Sequence, residues 1–229
     1  MYEAVYAHPD GGSTVARQAL TASEYGFDGI VVRNHGDQAA YDAEAISASY
    51  DIDVVDGIEV RATDPSRASG LVGNHRSRRT VVAVHGGSVD MNRFAVEQPA
   101  VDVLAHPMAG DGDVNHVLVK AAANNGVRFE FSLHDVLHET GGTRVRQIQS
   151  LRKLRELVEH YDAPYVVSAD PRSHLDLRSP RDLLAVGETI GFTESQIEAG
   201  LAEWQRLTDR NRERASSSFV EPGVWIDDE

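Results

Sequence analysis

A single compact α/β barrel is the fold that this sequence predicts, and three observations lead to it. Short apolar runs such as GIVVR, TVVAV and PYVVS alternate with longer helix-like stretches. Strands that are apolar on both faces are typical of parallel sheets covered by helices. The length of 229 residues suits one small barrel, since such barrels run from about 200 to 250 residues. A doubly wound open sheet is the alternative, but no G-x-G-x-x-G follows the first strand.

Strands and helices are predicted to alternate along most of the chain. The predicted strands are Tyr2–Ala7, Gly29–Arg33, Val54–Val60, Thr80–His85, Val101–Ala105, Arg128–Ser132 and Pro164–Ser168. The predicted helices are Thr14–Tyr25, Ala39–Ser49, Asn92–Gln98, Asn115–Asn124, Arg144–Tyr161, Pro180–Ile190 and Thr193–Arg214. The segment RATDPSRASGLVGNHRSRR after Val60 is predicted to be a long loop, so that the third helix of the barrel is weak or missing.

Residues at the ends of these stretches support the boundaries. Ser13 and Thr193 are typical N-caps, and Gly26, Gly126 and Gly191 are typical helix stops. Neither an internal repeat nor a linker interrupts the pattern. We therefore expect one barrel domain over residues 1–214 and an irregular C-terminal tail over 215–229, anchored locally by Phe219 and Trp225.

Composition excludes several classes of protein. There is no cysteine, so disulfides, a cysteine nucleophile and cysteine-ligated metal centres are excluded. The N-terminus lacks the features of a signal peptide, and no apolar run reaches the roughly 20 residues of a membrane helix, which favours a cytoplasmic location.

The charge balance is unusual both in its sign and in the kind of basic residue. The formal net charge is −14, yet 20 of the 22 basic residues are arginine, and Lys120 and Lys153 are the two lysines. An acidic excess with almost no lysine is typical of proteins from salt-in halophiles, although an ordinary acidic protein is the alternative. At about 1 M salt the Debye length is roughly 3 Å, so an acidic net charge no longer excludes local arginine contacts with RNA.

Polar residues lie where six of the predicted strands meet the following loops. They are His8, His35, Glu59, His85, His106 and Asp170, with His174 nearby. Functional residues of a barrel lie at the carboxyl ends of its strands, and histidine and carboxylate groups are ligands for Zn, Mn or Fe. A single histidine in such a place is more often structural, but several together favour an ancestral or actual metal site.

These motifs resemble the PHP (polymerase and histidinol phosphatase) phosphoesterases. VRNHGD with His35, GIEV with Glu59 and VLAHP with His106 are similar to motifs of that superfamily. The sequence departs from that superfamily in three places. Tyr6 stands in place of the first histidine of H-x-H, and Asn34 stands in place of the aspartate expected before His35. The closing D-x-H motif has become Asp170 to His174, with two extra residues between its ends. Fewer ligands imply weaker metal binding, so the sequence predicts a relic that binds metal weakly, if at all.

A second resemblance covers more of the chain. NHVLVKAAANNGVRFEFSL, PYVVSA and LRSPRDLLAVGETIGF follow one another as in the archaeal and eukaryotic ribonuclease P protein component 3 family, and GGSVDMNRFAVE and VDVLAHP are similar to its middle part. The resemblance implies a TIM-like barrel that supports a catalytic RNA in removing the 5′ leader from precursor tRNA. It also implies that Mg²⁺ acts through the RNA subunit and that a small ferredoxin-like RNase P protein is a partner, along with other RNase P proteins. The alternative is a stand-alone metal-dependent phosphoesterase of the PHP type, and a third reading is a plain interaction scaffold.

Six basic residues are the candidates for contact with RNA or a partner. They are Arg93, His116, Lys120, Arg172, Arg178 and Arg181. Arg178 and Arg181 flank Pro180, which is expected to open a helix whose N-terminus favours anions. His116 and Lys120 are one helical turn apart and can reach the same phosphate. In each case the alternative is a solvated or locally paired side chain, for example Arg181 with Asp182 or Asp176.

The sequence contains two further groups of arginines. Arg76, Arg78 and Arg79 form the densest basic cluster, before the fourth strand. Arginines 206, 210, 212 and 214 alternate with acidic residues on the last helix, which predicts pairing within that helix.

Overall fold

The computed structural model of the protein describes residues 1–36, 40–216, 219–221 and 224–225. Seven parallel strands pair in sequence order: β1 (Tyr2–Val5), β2 (Gly29–Val32), β3 (Asp53–Val60), β4 (Val81–His85), β5 (Val103–Ala105), β6 (Arg128–Ser132) and β7 (Tyr165–Ser168). The helices are α1 (Val15–Glu24), α2 (Ala43–Tyr50), α3 (Pro65–Arg76), α4 (Val89–Glu97), α5 (His116–Asn125), α6 (His134–His138), α7 (Gly141–His160), α8 (Pro180–Ile190) and α9 (Glu194–Ala215). A separate antiparallel pair follows, β8 (Phe219–Glu221) and β9 (Val224–Trp225). The predicted α/β barrel is confirmed.

Alternation along each strand separates two layers of core. Residues such as Ala4, Val31, Val55 and Ala83 point into the barrel and form one buried cluster. Their neighbours in sequence, Val5 among them, point outward and pack under the surrounding helices. Because both faces of each strand are covered, the strands are apolar almost throughout, which is the pattern that made them visible in the sequence.

The barrel has a seam between β1 and β7, which form no ladder with each other in the described part of the chain. Helix α9 packs against both strands along this seam. Gly200 allows the close approach, since a Cβ at this position would lie 2.5 Å from Cγ2 of Val167. The indole N–H of Trp204 donates to the Val167 carbonyl at 2.9 Å, so the helix satisfies part of the strand edge.

A buried carboxylate joins the same two strands. Glu3 of β1 accepts hydrogen bonds from the Ser168 hydroxyl (2.5 Å) and from the Ala169 backbone N–H (3.0 Å). Just beyond, the Tyr6 N–H donates to the Pro171 carbonyl at 3.0 Å. At the seam, side-chain hydrogen bonds and a single backbone hydrogen bond therefore join the two strands, whereas ladders of backbone hydrogen bonds join the other neighbouring strands.

The third helix is the main correction to the predicted elements. Instead of a loop, residues 65–76 form α3, with Asp64 as N-cap and Pro65 in the first turn. Proline is favourable there because the first helical N–H groups have no partner in the helix. Ala68, Val72 and His75 form its buried face at helical spacing.

Smaller differences concern helix ends. Thr14, rather than Ser13, caps α1, whereas Thr193 caps α9 and Gly126 and Gly191 end α5 and α8 as predicted. The short helix α6 was not predicted. Predicted helical residue Ala39 lies outside the described residues, and so do the side chains of Phe219 and Trp225. Within the described segments, no helix has the length and hydrophobicity required to cross a bilayer.

We predict that Glu3 makes stability depend on pH. Burial raises the pKa of Glu3 from 4.5 to about 7, against the opposing hydrogen bonds of Ser168 and Ala169. Between these values the unfolded chain has lost a proton that the folded chain retains, so stability falls as pH rises, by up to ~3 kcal/mol. In melting curves recorded across this range, Glu3→Gln should lose this decrease, and exposed Glu198→Gln should keep it. Parallel pH profiles for wild type and Glu3→Gln would contradict the prediction.

Candidate functional site

The carboxyl end of the barrel contains a layer of buried polar side chains. Arg33, Glu59 and Glu130 continue the inward-facing alternation of β2, β3 and β6, and Tyr6 and Asp170 follow β1 and β7. All five are at most 2 % exposed. Charged groups are rarely buried this completely unless they are paired.

Arg33 is the centre of this layer. Its guanidinium contacts Glu59 at 3.3 Å and Glu130 at 2.7 Å, and it donates to Asp170. The Tyr6 ring lies below it, with 4.9 Å between Cζ and the ring centroid. Burial alone would lower the pKa of Arg33, but Glu130 and the other carboxylates raise it well above its usual value. The guanidinium therefore stays charged and supplies the positive charge that three buried carboxylates require.

Histidines lie on the outer side of this layer. His85 Nδ1 is 2.6 Å from Oε1 of Glu59, and His35 Nε2 is 3.5 Å from the same oxygen. Tyr6 donates its hydroxyl proton to the other Glu59 oxygen. Burial would raise the pKa of Glu59, but the neighbouring His35, His85 and Arg33 hold it well below the ordinary value. Both oxygens of this carboxylate are thus already engaged.

Three of the predicted metal ligands come together. Ligand atoms of Glu59, His85 and His106 lie within 4.8 Å of one another, the one such group among the described residues. Of the other predicted ligands, His35 is adjacent, His8 is exposed, and Asp170 is bonded to Arg33, with its second oxygen 3.7 Å from His106 Nε2.

The donor set fits a catalytic divalent metal poorly. A metal site needs carboxylates that are free to coordinate, whereas the guanidinium of Arg33 holds those of Glu59 and Asp170. A divalent cation bound to Glu59 would also lie close to this fixed positive charge in a medium that screens it weakly. Asn34 has a structural role in place of the expected aspartate, since its amide bonds both the N–H and the carbonyl of Ala7.

The basic residues predicted to contact RNA lie outside this buried layer. Arg181 is exposed in the first turn of α8, and it makes no ion pair with Asp182 or Asp176 in the described chain. Those aspartates bond elsewhere, Asp182 with its N-cap Ser179. Arg172 is also exposed, 6.0 Å from the Tyr6 ring. Arg178 donates to the carbonyls of Leu175 and Leu177, so it also holds the loop.

The remaining candidates belong to α4 and α5. Arg93 is exposed and pairs with Glu97 at 2.9 Å. His116 opens α5 and is exposed, and Lys120 lies one turn later with its ammonium 5.2 Å from the centroid of the Tyr161 ring. Arg172, Arg178, Arg181 and His116 therefore lie in loops or first helical turns that follow the strands, whereas Arg93 and Lys120 lie further along α4 and α5. Which of the six touch RNA stays a prediction.

Sequence reasoning overlooked Arg33 and Glu130. Their signal was present: in VVR and in FEF each charged residue stands at an alternate position of an otherwise apolar strand, which is where an inward side chain belongs.

Comparison with known proteins agrees with the second of the two resemblances. A family model described as RNase P subunit p30 matches residues 1–216. Ribonuclease P protein component 3 of Haloarcula marismortui is 66% identical over 100% of this chain and 98% of that relative. The component 3 proteins of Natronomonas pharaonis (65% identical, 99% and 95% covered) and Methanosarcina barkeri (38%, 91% and 88%) are similar along nearly their whole length.

Solved structures show the same fold. A chain in a cryo-EM structure of archaeal ribonuclease P with mature tRNA superimposes with a TM-score of 0.87 at 23% identity, covering 100% of this chain and 99% of that one. A histidinol phosphate phosphatase from Lactococcus lactis, complexed with zinc, gives 0.55 at 9% identity, covering 83% and 94%. The phosphatase shares the barrel fold, whereas the family model and the sequence relatives match nearly the whole chain, and the chain belongs to the RNase P subunit p30 family.

Proposed function

We propose that this chain, a protein subunit of ribonuclease P, is a non-catalytic support for the RNA subunit. In this role the RNA removes the 5′ leader from precursor tRNA with its own Mg²⁺, in the cytoplasm. The protein binds that RNA and a small ferredoxin-like RNase P protein, and it meets precursor tRNA only indirectly. Membership of the family supports the assignment to ribonuclease P. The geometry at the carboxyl end of the barrel supports the non-catalytic role.

The observation that carries the non-catalytic role is the position of Arg33. In a metal-dependent phosphoesterase, carboxylates and histidines at this end of the barrel hold ions that activate water. Here the guanidinium of Arg33 bonds to Asp170 and contacts Glu59 and Glu130. An arginine side chain therefore engages the carboxylates that a metal ion would need as ligands. An arginine cannot deliver a hydroxide, and its pKa, raised by Glu130 against burial, rules out a role as a base.

RNA contact is proposed for the cations around this rim. Arg172 and Arg181 are exposed near the start of α8, where the helix N-terminus adds N–H groups and a favourable dipole for phosphate. Arginine is suited to phosphate because its planar donors bind two oxygens at once. Arg178, Arg93, His116 and Lys120 complete the proposed surface.

We expect the isolated protein to lack phosphoesterase activity. Incubation with Mn²⁺ or Zn²⁺ and a set of phosphate esters should give no more turnover than His106→Ala measured in parallel, because the carboxylates are held by Arg33. Turnover that depends on metal and disappears in His106→Ala would overturn the proposal and restore the phosphoesterase.

The rim contacts are tested by Arg172→Ala combined with Arg181→Ala. We expect RNA affinity in a reconstituted ribonuclease P to fall at least about tenfold, because hydrogen bonds between charged groups contribute roughly 1.5–3 kcal/mol each. Arg67→Ala with Arg206→Ala is the matched control, since both residues are exposed and pair locally with Asp64 and Glu203. Arg178 is less suitable because it also holds loop carbonyls. Equal losses for both pairs, at unchanged melting temperature, would contradict the placement.

Salt should raise stability, since 36 acidic residues face 22 basic ones. At about 0.01 M salt the Debye length is roughly 30 Å, so repulsion acts across the whole domain, and at about 1 M it is roughly 3 Å. Melting temperatures measured from low to multimolar KCl should therefore rise, most steeply at first. A maximum near about 0.1 M KCl would contradict the halophilic interpretation.

A further inference from the structure

Arg33 fits the carboxylates around it imperfectly. Its Nη1 lies 3.3 Å from Oε2 of Glu59, and its Nη2 lies 2.7 Å from Oε1 of Glu130. Nevertheless, Nη1 and Nε of Arg33 and Oε1 of Glu130 form no hydrogen bond with any described residue. Asp170 accepts a hydrogen bond from Nη2. A buried guanidinium is ordinarily satisfied through its flat fork of donors, so these carboxylates are not arranged in the plane that an arginine requires.

The backbone is strained at two groups beside Arg33. His106 and Asp170 have φ values of 49° and 54°, in the left-handed region that is unfavourable for residues with a side chain. The other two non-glycine residues with positive φ in the described chain, Asp51 and Asp162, lie at the ends of α2 and α7, where this conformation is common. His106 and Asp170 instead follow strands β5 and β7. Strain of this kind is concentrated at ligand-binding positions.

Imidazole and carboxylate groups converge where these strained residues lie. His106 Nε2 is 3.7 Å from Oδ2 of Asp170 and 4.0 Å from Oε2 of Glu130. Ligand atoms of Glu59, His85 and His106 lie within 4.8 Å of one another. Two ligands of one zinc ion, each about 2.0–2.2 Å from it, are at most roughly 4.4 Å apart. Small rotations of these side chains therefore suffice to bring four donors around a common centre.

Three carboxylates surround one guanidinium in this layer. Glu59, Glu130 and Asp170 are each at most 1% exposed, and buried anions are unfavourable unless their charge is offset. A divalent cation carries twice the charge of the guanidinium and accepts oxygen and nitrogen ligands from several directions. The donor set therefore fits a metal poorly only because the side chain of Arg33 lies among the carboxylates.

We propose that Arg33 alone excludes a divalent metal ion from the carboxyl end of this barrel, and that a chain without its guanidinium binds one zinc ion there. Glu59, His85 and His106 are the ligands of this latent zinc site. Asp170, once released from the guanidinium, supplies the fourth donor. Imidazole and carboxylate donors in this number suit zinc. The latent zinc site is independent of the RNA contacts proposed above.

Zinc binding to Arg33→Ala is measured by calorimetric titration with zinc chloride, in parallel with wild type. We expect one zinc ion per chain in the variant. In wild type we expect at least about a hundredfold weaker binding, because a fixed positive charge within roughly 4 Å repels the ion in a medium of low dielectric. Adding His106→Ala to Arg33→Ala removes a ligand and should abolish the gain.

The melting temperature supplies a second readout. Without metal, Arg33→Ala leaves three buried carboxylates with no guanidinium and should unfold at a lower temperature than wild type. Zinc at about a hundred times its Kd should raise that temperature by roughly 5–10 °C, because it stabilises the folded chain by mass action. A chelator such as EDTA should reverse the rise, and wild type should respond to neither addition.

Arg128 provides a matched control. It is 9% exposed, stands at the first position of β6, and bonds to Glu203 at 2.8 and 3.0 Å. In the described chain, Glu203 belongs to no group of side chains that could hold a metal ion. Arg128→Ala should therefore lower the melting temperature without any recovery in zinc.

Arg210 provides a second control. The pairing predicted within α9 is wrong for this arginine, which bonds to buried Asp102 at 2.9 Å, and for Arg212, which bonds to Asp53. Asp102 also lies outside any potential metal-binding group of the described residues. Arg210→Ala thus removes a cation from a buried carboxylate that has no neighbouring zinc ligands, and zinc should not restore the lost stability.

A second variant, Arg33→Gln, keeps more of the side-chain volume and removes the charge. It is folded and titrated in the same way, with and without zinc, so that the cavity left by alanine does not decide the result.

Four outcomes contradict the latent zinc site. Wild type that binds zinc as tightly as Arg33→Ala shows that Arg33 excludes nothing. Folded Arg33→Ala and Arg33→Gln that do not bind zinc show that the ligand set is incomplete, and binding that persists without His106 places the ion elsewhere. If neither variant folds even in zinc, the metal does not replace the guanidinium. Each result overturns the proposal but leaves the ribonuclease P role standing, since that role is tested by cleavage of precursor tRNA with wild type.

Discussion

The charge of Arg33 decides whether three carboxylates can be buried together at one end of the barrel. Glu59, Glu130 and Asp170 come from β3, β6 and the end of β7, and each lies against its guanidinium. Removing the cation would leave these negative charges in a medium of low dielectric, which costs several kcal/mol per unpaired ion. The positions of the rim histidines follow from this, because His35 and His85 are ordered by the same Glu59.

This arrangement also separates the protein from phosphoesterases that share its barrel. A metal ion can exchange its ligands, bind water and leave, whereas the guanidinium of Arg33 is covalently attached to the chain and is held among the carboxylates around it. The residue that follows β2 thus supplies positive charge to buried carboxylates, a role that metal ions have in metal-dependent phosphoesterases. The contacts proposed for RNA lie on exposed cations outside this layer.

The sequence predicted the barrel well because parallel strands leave a strong signal. Each strand is buried on both faces, so runs such as TVVAV stand out whatever surrounds them. The prediction failed at α3, where Gly70 and Gly73 weaken the helical signal and burial of Val72 compensates for it. It identified Glu59, His85 and His106 as neighbours because strand ends share a rim. The pairing of Arg33 with Glu59, Glu130 and Asp170 could not be predicted, because it joins residues that are distant in the sequence and meet only in the folded chain.

The seam between β1 and β7 bears on how the protein is made. Helix α9 covers the two strand edges, and Trp204 of this helix satisfies a β7 carbonyl. Until α9 has left the ribosome, a nascent chain with all seven strands still has two open edges, and open edges pair readily with other chains. N-terminal segments emerge first during synthesis, so the edges of β1 and β7 stay uncovered until α9, which follows them in the chain, is available to pack on them.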